Sequence, residues 1–505
     1  MENGNMGAAS IIVVFLYLAF MLIIGAVASK KIKTASDYIV AGKSLGFWLF
    51  VMLILGSTTS GMTLLGVSGL GYIAGWPTFW EQIFVPLTCA VTIIFFGYKL
   101  FDVCKKNDFL TLQDYLAYRF ESPKAVRTIS SIAVLTTSLI YLVGQYTAIA
   151  IVLRWLLGIP QTQALLLGAI IVVVYVLLGG LYAISWTTLF QGFVIFFGVL
   201  VIAPIIINSA GGLSAINATI GNINPDMLRL SYPQVHPPSP GYAFATPMFL
   251  VSFFFLLAFG LGSAPHIVNN VIAVKDKKYF KWSPLVVFVM YIIIMYLIKI
   301  SGMAVRTLVT QGAVSVMKPD DAFLVGIKHA LPSFSWALFA VVILAAVMST
   351  TDRLLLVIGT CCGWDFYKRL IKKDATNESV TFVSRIAVIV FGIISFLLAI
   401  KPPVLLAWLI WMGIGIMLAT FVVPIVFGLF WKRANRYGAV CSMLAGYLSA
   451  VGFGAYHKFA SPLPFHFSFY AFLISIVVMV VVSLITGRPS EKLISESKTG
   501  MFIRK

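Results

Sequence analysis

The chain has 505 residues, of which 60% are hydrophobic and only 10% are charged, with a formal net charge of +19. Soluble globular proteins carry about 25% charged residues, so these polar groups are too few to cover a water-exposed surface. The composition therefore excludes a soluble protein. It predicts an all-α polytopic membrane protein, since repeated apolar runs of about 20 residues each suit a membrane-crossing helix.

Thirteen apolar segments follow one another along the chain and are predicted to be transmembrane helices. They cover roughly residues 8–28, 46–74, 77–98, 125–157, 161–182, 185–209, 243–272, 283–306, 333–360, 380–400, 402–431, 437–457 and 465–487. Two long connections, 210–242 and 307–332, separate some of these segments. We expect the first to cap the outer face and an amphipathic stretch of the second, DDAFLVGIKHAL, to lie along the membrane interface.

The positive charge follows the loops of this pattern. Most of the 36 lysines and arginines lie in one set of alternate loops, and few lie in the other set. Because short cytoplasmic loops are enriched in Lys and Arg, we expect the N-terminus outside the cell membrane and the C-terminus in the cytoplasm. The charge is thus a topology signal, and no nucleic-acid partner is expected.

Two of the spans contain sequences that suit a continuous helix poorly. The first is GSTTSGM, residues 56–62, and the second is LAFGLGSAPH, residues 257–266, five spans later. Matched interruptions in two halves of a membrane protein indicate an inverted-repeat transporter with its binding site near the bilayer midplane. The alternative is that these glycines only allow neighbouring helices to pack closely.

A third segment, LFAVVILAAVMSTTDRLLL, offers hydroxyl oxygens that suit a hard cation such as sodium. Ser349 and Thr350 are adjacent, and Ala346 lies one helical turn earlier. Together with carbonyl groups of an unwound helix they could form a cage of about five oxygens. The alternative is that both hydroxyls bond back to carbonyls of their own helix.

Four motifs in order make the chain resemble the sodium/solute symporter family. They are ASDYIVAGKSLGFW followed by the break at Gly56, YVLLGGLYAISW at 175–186, PHIVNNVIAVKDKK at 265–278 and AAVMSTTD at 345–352. The likeness runs from about Asp37 to about Ala450. It implies a LeuT-type fold and sodium-driven uptake by alternating access. The parts of the chain are then a leading helix and loop (1–45), a first five-helix repeat (46–209), an extracellular loop (210–242), a second five-helix repeat (243–431), two trailing helices (432–487) and a cytoplasmic tail (488–505).

The resemblance also implies the position of a sodium site. Carried over residue by residue, the family's site falls on the backbone carbonyls of Gly56, Thr59 and Ala346 and on the hydroxyls of Ser349 and Thr350. Sodium is then the co-transported ion, and a small organic solute is the substrate.

Three departures from the family qualify this prediction. Thr58 and Thr188 stand where many members have an aspartate, and Asn270 stands where some branches have an arginine. Because the aspartate at the second position is associated with a second sodium or with proton coupling, its absence favours one sodium per substrate. The span 141–192 looks closest to acetate and other monocarboxylate symporters.

Several polar residues are candidates for substrate contact. An ionisable group inside a membrane span is functional by default, which singles out Glu81, although this acid could instead reach water at the interface and would repel a carboxylate substrate. We expect Lys299 and Arg154 to extend to the outer interface. The full set of candidates is Thr58, Thr63, Glu81, Tyr141, Gln145, Ser263 and Trp408.

The sequence therefore favours a sodium-coupled symporter of a small polar solute, acting as a monomer in the lipid bilayer. Alternatives are proton coupling, a different solute such as proline, pantothenate or a sugar, and a transporter-like membrane sensor. No nucleophile and base, phosphate loop or metal cluster is evident in the sequence, so we do not expect an enzyme.

Overall fold

A computed structural model of the chain describes residues 8–30, 32–233, 245–401, 406–459 and 464–490. The described secondary-structure elements are all helices, which confirms the predicted all-α class. The membrane helices are Ala8–Ser29, Phe47–Thr58, Met62–Ala74, Trp76–Lys106, Ala125–Leu157, Gln161–Ser209, Pro247–Ser263, Pro265–Ile272, Ser283–Thr310, Ser333–Thr360, Cys361–Ile371, Asn377–Ala399, Leu406–Met417, Leu418–Val422, Val423–Phe430, Arg436–Phe459 and Phe467–Ile485.

Ten helices in the described part of the chain are long and apolar enough to span a membrane, and two bent helix pairs raise the number to twelve. A further apolar helix, Gln161–Leu177, is shorter. It leads into the next span through a kink at Gly180, whose φ is 47°. A Cβ at this glycine would lie 2.5 Å from the Tyr38 ring, so both the backbone angle and the close approach require glycine. The thirteenth span stays a prediction.

The two interrupted spans are bent where the sequence predicts. Phe47–Thr58 and Met62–Ala74 meet at 60° and are called the first broken helix, and Pro247–Ser263 and Pro265–Ile272 meet at 48° and are called the second broken helix. Thr59 is extended in the first (φ −81°, ψ 115°) and Ala264 in the second (φ −60°, ψ 127°). Pro265 then starts the new half-helix, a position where its missing N–H costs nothing.

The second half of the first broken helix, Met62–Ala74, packs on Ser283–Thr310 with almost no side chain between the backbones. A Cβ at Gly302 would lie 2.0 Å from the Ser68 carbonyl oxygen, and one at Gly71 would lie 2.4 Å from that of Lys299. In a bilayer, such close contacts between small residues supply the van der Waals attraction that holds helices together. The first broken helix is therefore anchored through this half.

A long buried helix runs through the middle of the bundle. Ser333–Thr360, called here the Ser-Thr helix, packs against Gln161–Ser209, Ala125–Leu157 and the first broken helix. Its most apolar stretch is entirely buried, so its polar residues face other helices rather than lipid. This arrangement brings Ser349 and Thr350 to the first break.

The amphipathic stretch of the 307–332 connection forms the helix Ala322–Ala330. Ala322 to Ile327 are all buried against the first broken helix and Ser283–Thr310. A short helix with a full apolar turn suits a protein groove as well as a lipid interface, and its place at the membrane interface stays a prediction.

A short helix, Leu112–Arg119, joins several membrane helices on the face that the charge pattern assigns to the cytoplasm. Its Leu112 N–H donates to Asn269 Oδ1 of the second broken helix (3.0 Å). Asp114 pairs with Arg127 at the start of Ala125–Leu157 (2.9 Å) and accepts from Trp364 Nε1 (2.9 Å). Arg119 donates to backbone carbonyls at and beyond the end of Val423–Phe430, among them that of Gly428 (2.7 Å).

Candidate functional site

The first break leaves backbone carbonyls without their usual helical partners. Ser60 N–H donates to Thr63 Oγ1 (3.1 Å) instead of the Gly56 carbonyl, and Thr63 N–H donates to the Ser60 carbonyl (3.0 Å) instead of that of Thr59. Unpaired carbonyl oxygens in the apolar interior are costly unless another group or an ion satisfies them. The carbonyls of Gly56 and Thr59 are therefore available to a partner from another helix.

The Ser-Thr helix supplies that partner. Thr350 Oγ1 lies 3.0 Å from the Gly56 carbonyl oxygen and 2.8 Å from that of Thr59. Ser349 Oγ lies 3.0 Å from the carbonyl oxygens of both Gly56 and Ala346. The structure thus gathers all five residues predicted as sodium ligands around one point.

This cluster has the chemistry that a sodium ion requires. All five groups are buried neutral oxygens, and each hydroxyl can rotate its proton away to present a lone pair to a cation. Hard cations prefer such oxygen ligands. Thr188 packs against one side of this cluster, because its methyl group would lie only 2.4 Å from a Cβ placed on Gly56.

Tyr291 and Gln145 satisfy most of the remaining backbone groups at the first break. Tyr291 OH donates to the Thr58 carbonyl (2.6 Å) and lies 3.1 Å from Thr63 Oγ1. Gln145 Oε1 accepts from Gly61 N–H (3.0 Å), and its Nε2 has no hydrogen-bond partner in the described structure. Sequence reasoning missed Tyr291, because nothing distinguishes it from other tyrosines in membrane spans.

The candidates for substrate contact fall into two groups. Thr63, Tyr141 and Gln145 meet at the first break, where Tyr141 also packs edge-on against the His266 ring (centroids 5.7 Å apart). By contrast, Thr58 Oγ1 donates to the Ile54 carbonyl (2.9 Å) and points back along its own helix.

Two further candidates are not brought to the first break by the described structure. Ser263 Oγ donates to the Gly260 carbonyl of its own helix (2.9 Å). The side chain of Trp408 lies outside the described residues. One turn later, Trp411 is buried with its ring edge-on to Phe253 (centroids 4.8 Å apart).

Glu81 and Lys299 are both buried, so Lys299 does not extend to water as expected, and the alternative in which Glu81 reaches water is not observed. Glu81 is only 1% exposed and Lys299 is fully buried. The two groups attract each other electrostatically, the Lys299 ammonium donates to the Thr78 hydroxyl, and Trp411 lies beside the Glu81 carboxylate. A charge buried in the membrane needs such compensation. A lysine inside a membrane span therefore indicates a buried charge with a partner, which the sequence-based interpretation of Lys299 did not include.

Arg154 also differs from the expectation, because it forms an ion pair rather than extending freely to the interface. Its Nη2 lies 2.9 Å from Asp321 Oδ1, which also accepts from Trp155 Nε1 (3.1 Å). This pair connects the C-terminal end of Ala125–Leu157 to the segment that precedes Ala322–Ala330.

The fold and this site are those of a secondary transporter with two broken helices facing a central site. The family model of the sodium:solute symporter family matches residues 38–446. The osmoregulated proline transporter OpuE of Bacillus subtilis is 26% identical over 94% of both chains. A sodium/pantothenate symporter of Haemophilus influenzae is 26% identical and covers 98% of this chain and 99% of its own. The sodium/proline symporter of Escherichia coli is 27% identical over 86% of both chains.

Solved structures show the same fold. That of a Na+-coupled sialic acid symporter superposes with a TM-score of 0.78 at 21% identity, and covers 96% of this chain and 100% of its own. That of Mhp1, a nucleobase-cation-symport-1 family transporter, superposes with a TM-score of 0.51 at 13% identity, and covers 91% of this chain and 98% of its own.

The chain belongs to the sodium:solute symporter family. It is therefore a multi-pass membrane transporter rather than an enzyme, and sodium is its co-transported ion.

Proposed function

We propose that the chain imports a small polar organic solute that carries a carboxylate group, driven by one sodium ion per substrate through alternating access. The observation that supports the sodium site is the convergence of five oxygens, from Gly56, Thr59, Ala346, Ser349 and Thr350, between the first broken helix and the Ser-Thr helix. Neutral ligands from two separate helices suit an ion that must bind and leave in each cycle.

The charges around the site support a single sodium ion. Thr188 brings no carboxylate to the cluster. Asp352, the nearest acid along the Ser-Thr helix, is buried and is not one of the five residues that converge on the cluster. The single-sodium stoichiometry is therefore supported by the threonine at position 188.

The solute class follows from the groups left without partners near the first break. Gln145 Nε2 and both ring nitrogens of His266 are buried and have no hydrogen-bond partner among the described residues. The Gln145 amide N–H and the single N–H of a neutral His266 ring are donors that match a carboxylate. The buried Lys299 attracts Glu81, which weakens the repulsion that this acid would exert on a carboxylate substrate. Acetate fits this class, as do proline and pantothenate, which relatives are named for transporting.

The proposed topology has the N-terminus outside, the C-terminus in the cytoplasm, and a monomer as the working unit. The lysine and arginine distribution supports the orientation.

Uptake into proteoliposomes at fixed pH tests the coupling ion. We expect uptake of a carboxylate solute with sodium outside and none when potassium replaces sodium. The variant Ser349→Ala/Thr350→Ala should lose sodium-dependent uptake and still insert in the membrane. The matched control is Thr351→Val on the same helix, whose hydroxyl only bonds back to the Val347 carbonyl (2.6 Å). Normal sodium dependence in the double variant would refute the site, and uptake driven by a proton gradient alone would refute sodium coupling.

Thermal-shift measurements with carboxylates, amino acids, sugars and vitamins, each with and without sodium, identify the solute. A ligand that binds together with sodium raises the melting temperature more in its presence, because the two affinities are linked. Stabilisation by a neutral sugar and by no carboxylate would contradict the proposed solute class.

A further inference from the structure

Arg353 is one of the largest fully buried side chains in the protein. It follows Thr350 by three residues on the Ser-Thr helix, next to the buried Asp352. A charged guanidinium in this setting is expensive unless it is paired and hydrogen-bonded. Nothing in sodium or solute binding as described above uses it, so its contacts must account for its presence.

Those contacts connect three helices. The Arg353 Nη2 donates to the His266 carbonyl (3.0 Å) and to Asn270 Oδ1, both in the second broken helix. Asn270 Nδ2 in turn donates to Ser57 Oγ of the first broken helix (3.1 Å). Ser57 Oγ donates to the Leu53 carbonyl of its own helix (2.6 Å). We call the sequence of contacts from Arg353 through Asn270 to Ser57 the arginine link.

The arginine link joins the same two helices that supply the sodium oxygens. At one end, Arg353 is one turn beyond Ser349 and Thr350, and at the other end Ser57 is the neighbour of Gly56. The arginine link and the cation cluster therefore form only when the Ser-Thr helix and the first broken helix are close together. Two interactions that both require one conformation strengthen each other.

We propose that Arg353 is a positioning residue that holds the sodium site in its binding geometry and couples it, through Asn270, to the second broken helix. This inference rests on the proposed sodium site at Ser349 and Thr350. Breaking the arginine link removes none of the sodium ligands. It removes a bond that favours the conformation in which the Ser-Thr helix and the first broken helix are close together, so sodium binds more weakly. Sodium in turn favours the arginine link, so the second broken helix responds to the ion without touching it.

The residue at position 270 gives the proposal a sharper form. Asn270 receives the guanidinium from the facing helix, so the two side chains form a pair whose positions can be exchanged. One buried guanidinium at this contact is then enough, whichever helix carries it. Moving it from position 353 to position 270 should preserve its role, and placing one on each helix should not, because two buried like charges repel.

The test is the sodium concentration that gives half-maximal thermal stabilisation of the purified full-length protein, measured for four variants. Arg353→Gln should raise it about tenfold or more, the factor expected when a hydrogen bond to a charged group is lost. Asn270→Arg should raise this sodium concentration at least as much. In the exchange variant Asn270→Arg/Arg353→Asn, this sodium concentration should be within about threefold of that of the natural protein. In Thr351→Val, the control on the same helix, it should be within about twofold.

Asn270→Ala keeps the experiment decisive if Arg353→Gln yields no folded protein. It removes one acceptor and the contact to Ser57, but leaves Arg353 its bond to the His266 carbonyl, and sodium binding should weaken in the same direction. An unchanged sodium response in Arg353→Gln or Asn270→Ala, or no recovery in the exchange variant, would overturn the positioning role. If Ser349→Ala/Thr350→Ala also keeps its sodium response, the sodium site itself is wrong and the proposal falls with it.

Discussion

The first and second broken helices bend by 60° and 48°, yet different groups satisfy the two breaks. At the first break, Thr350, Tyr291 and Gln145 reach in from three other helices. At the second, Thr92 Oγ1 and Thr88 Oγ1 of Trp76–Lys106 donate to the carbonyls of Gly262 (2.9 Å) and Leu257 (2.8 Å), and Ser263 Oγ of the broken helix itself donates to that of Gly260 (2.9 Å).

The difference separates two uses of a broken membrane helix. At the first break, exchangeable hydroxyl donors occupy the carbonyl oxygens, so a cation can take over the same oxygens. At the second break, the donors are also hydroxyls, but the two threonines both belong to one packed neighbour. A bend in a helix is therefore insufficient evidence for an ion site, and the convergence of several carbonyl and hydroxyl oxygens on one point is the better indicator.

The largest predicted contrast between the breaks comes from adding one methyl group to each. In Gly56→Ala the new Cβ would lie 2.4 Å from Thr188 Cγ2, whereas in Gly262→Ala it would lie 3.2 Å from Val91 Cγ1. We expect Gly56→Ala to abolish the sodium response and to destabilise the protein by ~1–3 kcal/mol, and Gly262→Ala to keep the response. Thermal unfolding with and without sodium measures both effects.

Removing the clashing methyl checks the cause of this effect. Gly56→Ala/Thr188→Ser should recover part of the lost stability, because serine lacks Cγ2. Equal losses in Gly56→Ala and Gly262→Ala would remove the distinction between the two breaks.

Removal of one hydroxyl partner at each break should give the next largest contrast. Tyr291→Phe leaves the Thr58 carbonyl without its 2.6 Å donor, and Thr92→Val does the same to the Gly262 carbonyl. Each variant should lose ~1–3 kcal/mol of stability, the cost of an unsatisfied buried acceptor. Only Tyr291→Phe should also weaken sodium-driven uptake, assayed in proteoliposomes at equal amounts of inserted protein. A stronger uptake defect in Thr92→Val would reverse the proposed roles.

Gln145 allows the structural and substrate roles at the first break to be separated. Gln145→Glu keeps an oxygen to accept from Gly61 N–H but loses the Nε2 donor proposed for the substrate carboxylate. We expect apparent substrate affinity to fall about tenfold, the factor for one lost hydrogen bond, with little change in melting temperature. Gln145→Leu should lower both the apparent substrate affinity and the melting temperature. Substrate titration of uptake and thermal unfolding distinguish the two variants, and unchanged affinity in Gln145→Glu would exclude the contact.

Ser263 should give the smallest effect, although it is one of the residues predicted to contact substrate. Its hydroxyl bonds back to the Gly260 carbonyl of the same helix, so the bond is local. Ser263→Ala should change stability by less than about 0.5 kcal/mol and uptake by less than twofold. A strong loss of uptake with normal stability would show that this hydroxyl reaches the solute during transport.

The features that could be predicted from the sequence are those with local chemical causes. Glycine and proline mark the two breaks because they disfavour continuous helical bonding, and adjacent hydroxyls mark the Ser-Thr helix. Tyr291 could not be found in this way, since it meets Thr58 across 233 positions of the chain. The pairing of Arg353 with Asn270 is likewise tertiary, although a buried charge in a membrane span signals that some partner exists.

The short helix Leu112–Arg119 has a practical consequence for work on this carrier. It bonds to the second broken helix, to Ala125–Leu157, to the continuation of the Ser-Thr helix and to the chain around Val423–Phe430. Every residue of this helix except Tyr118 is buried, so it is a poor epitope for an antibody fragment. A single substitution in it, such as Arg119→Ala, would instead loosen contacts to several membrane segments at once, which makes the helix a position to leave unchanged in thermostabilising designs.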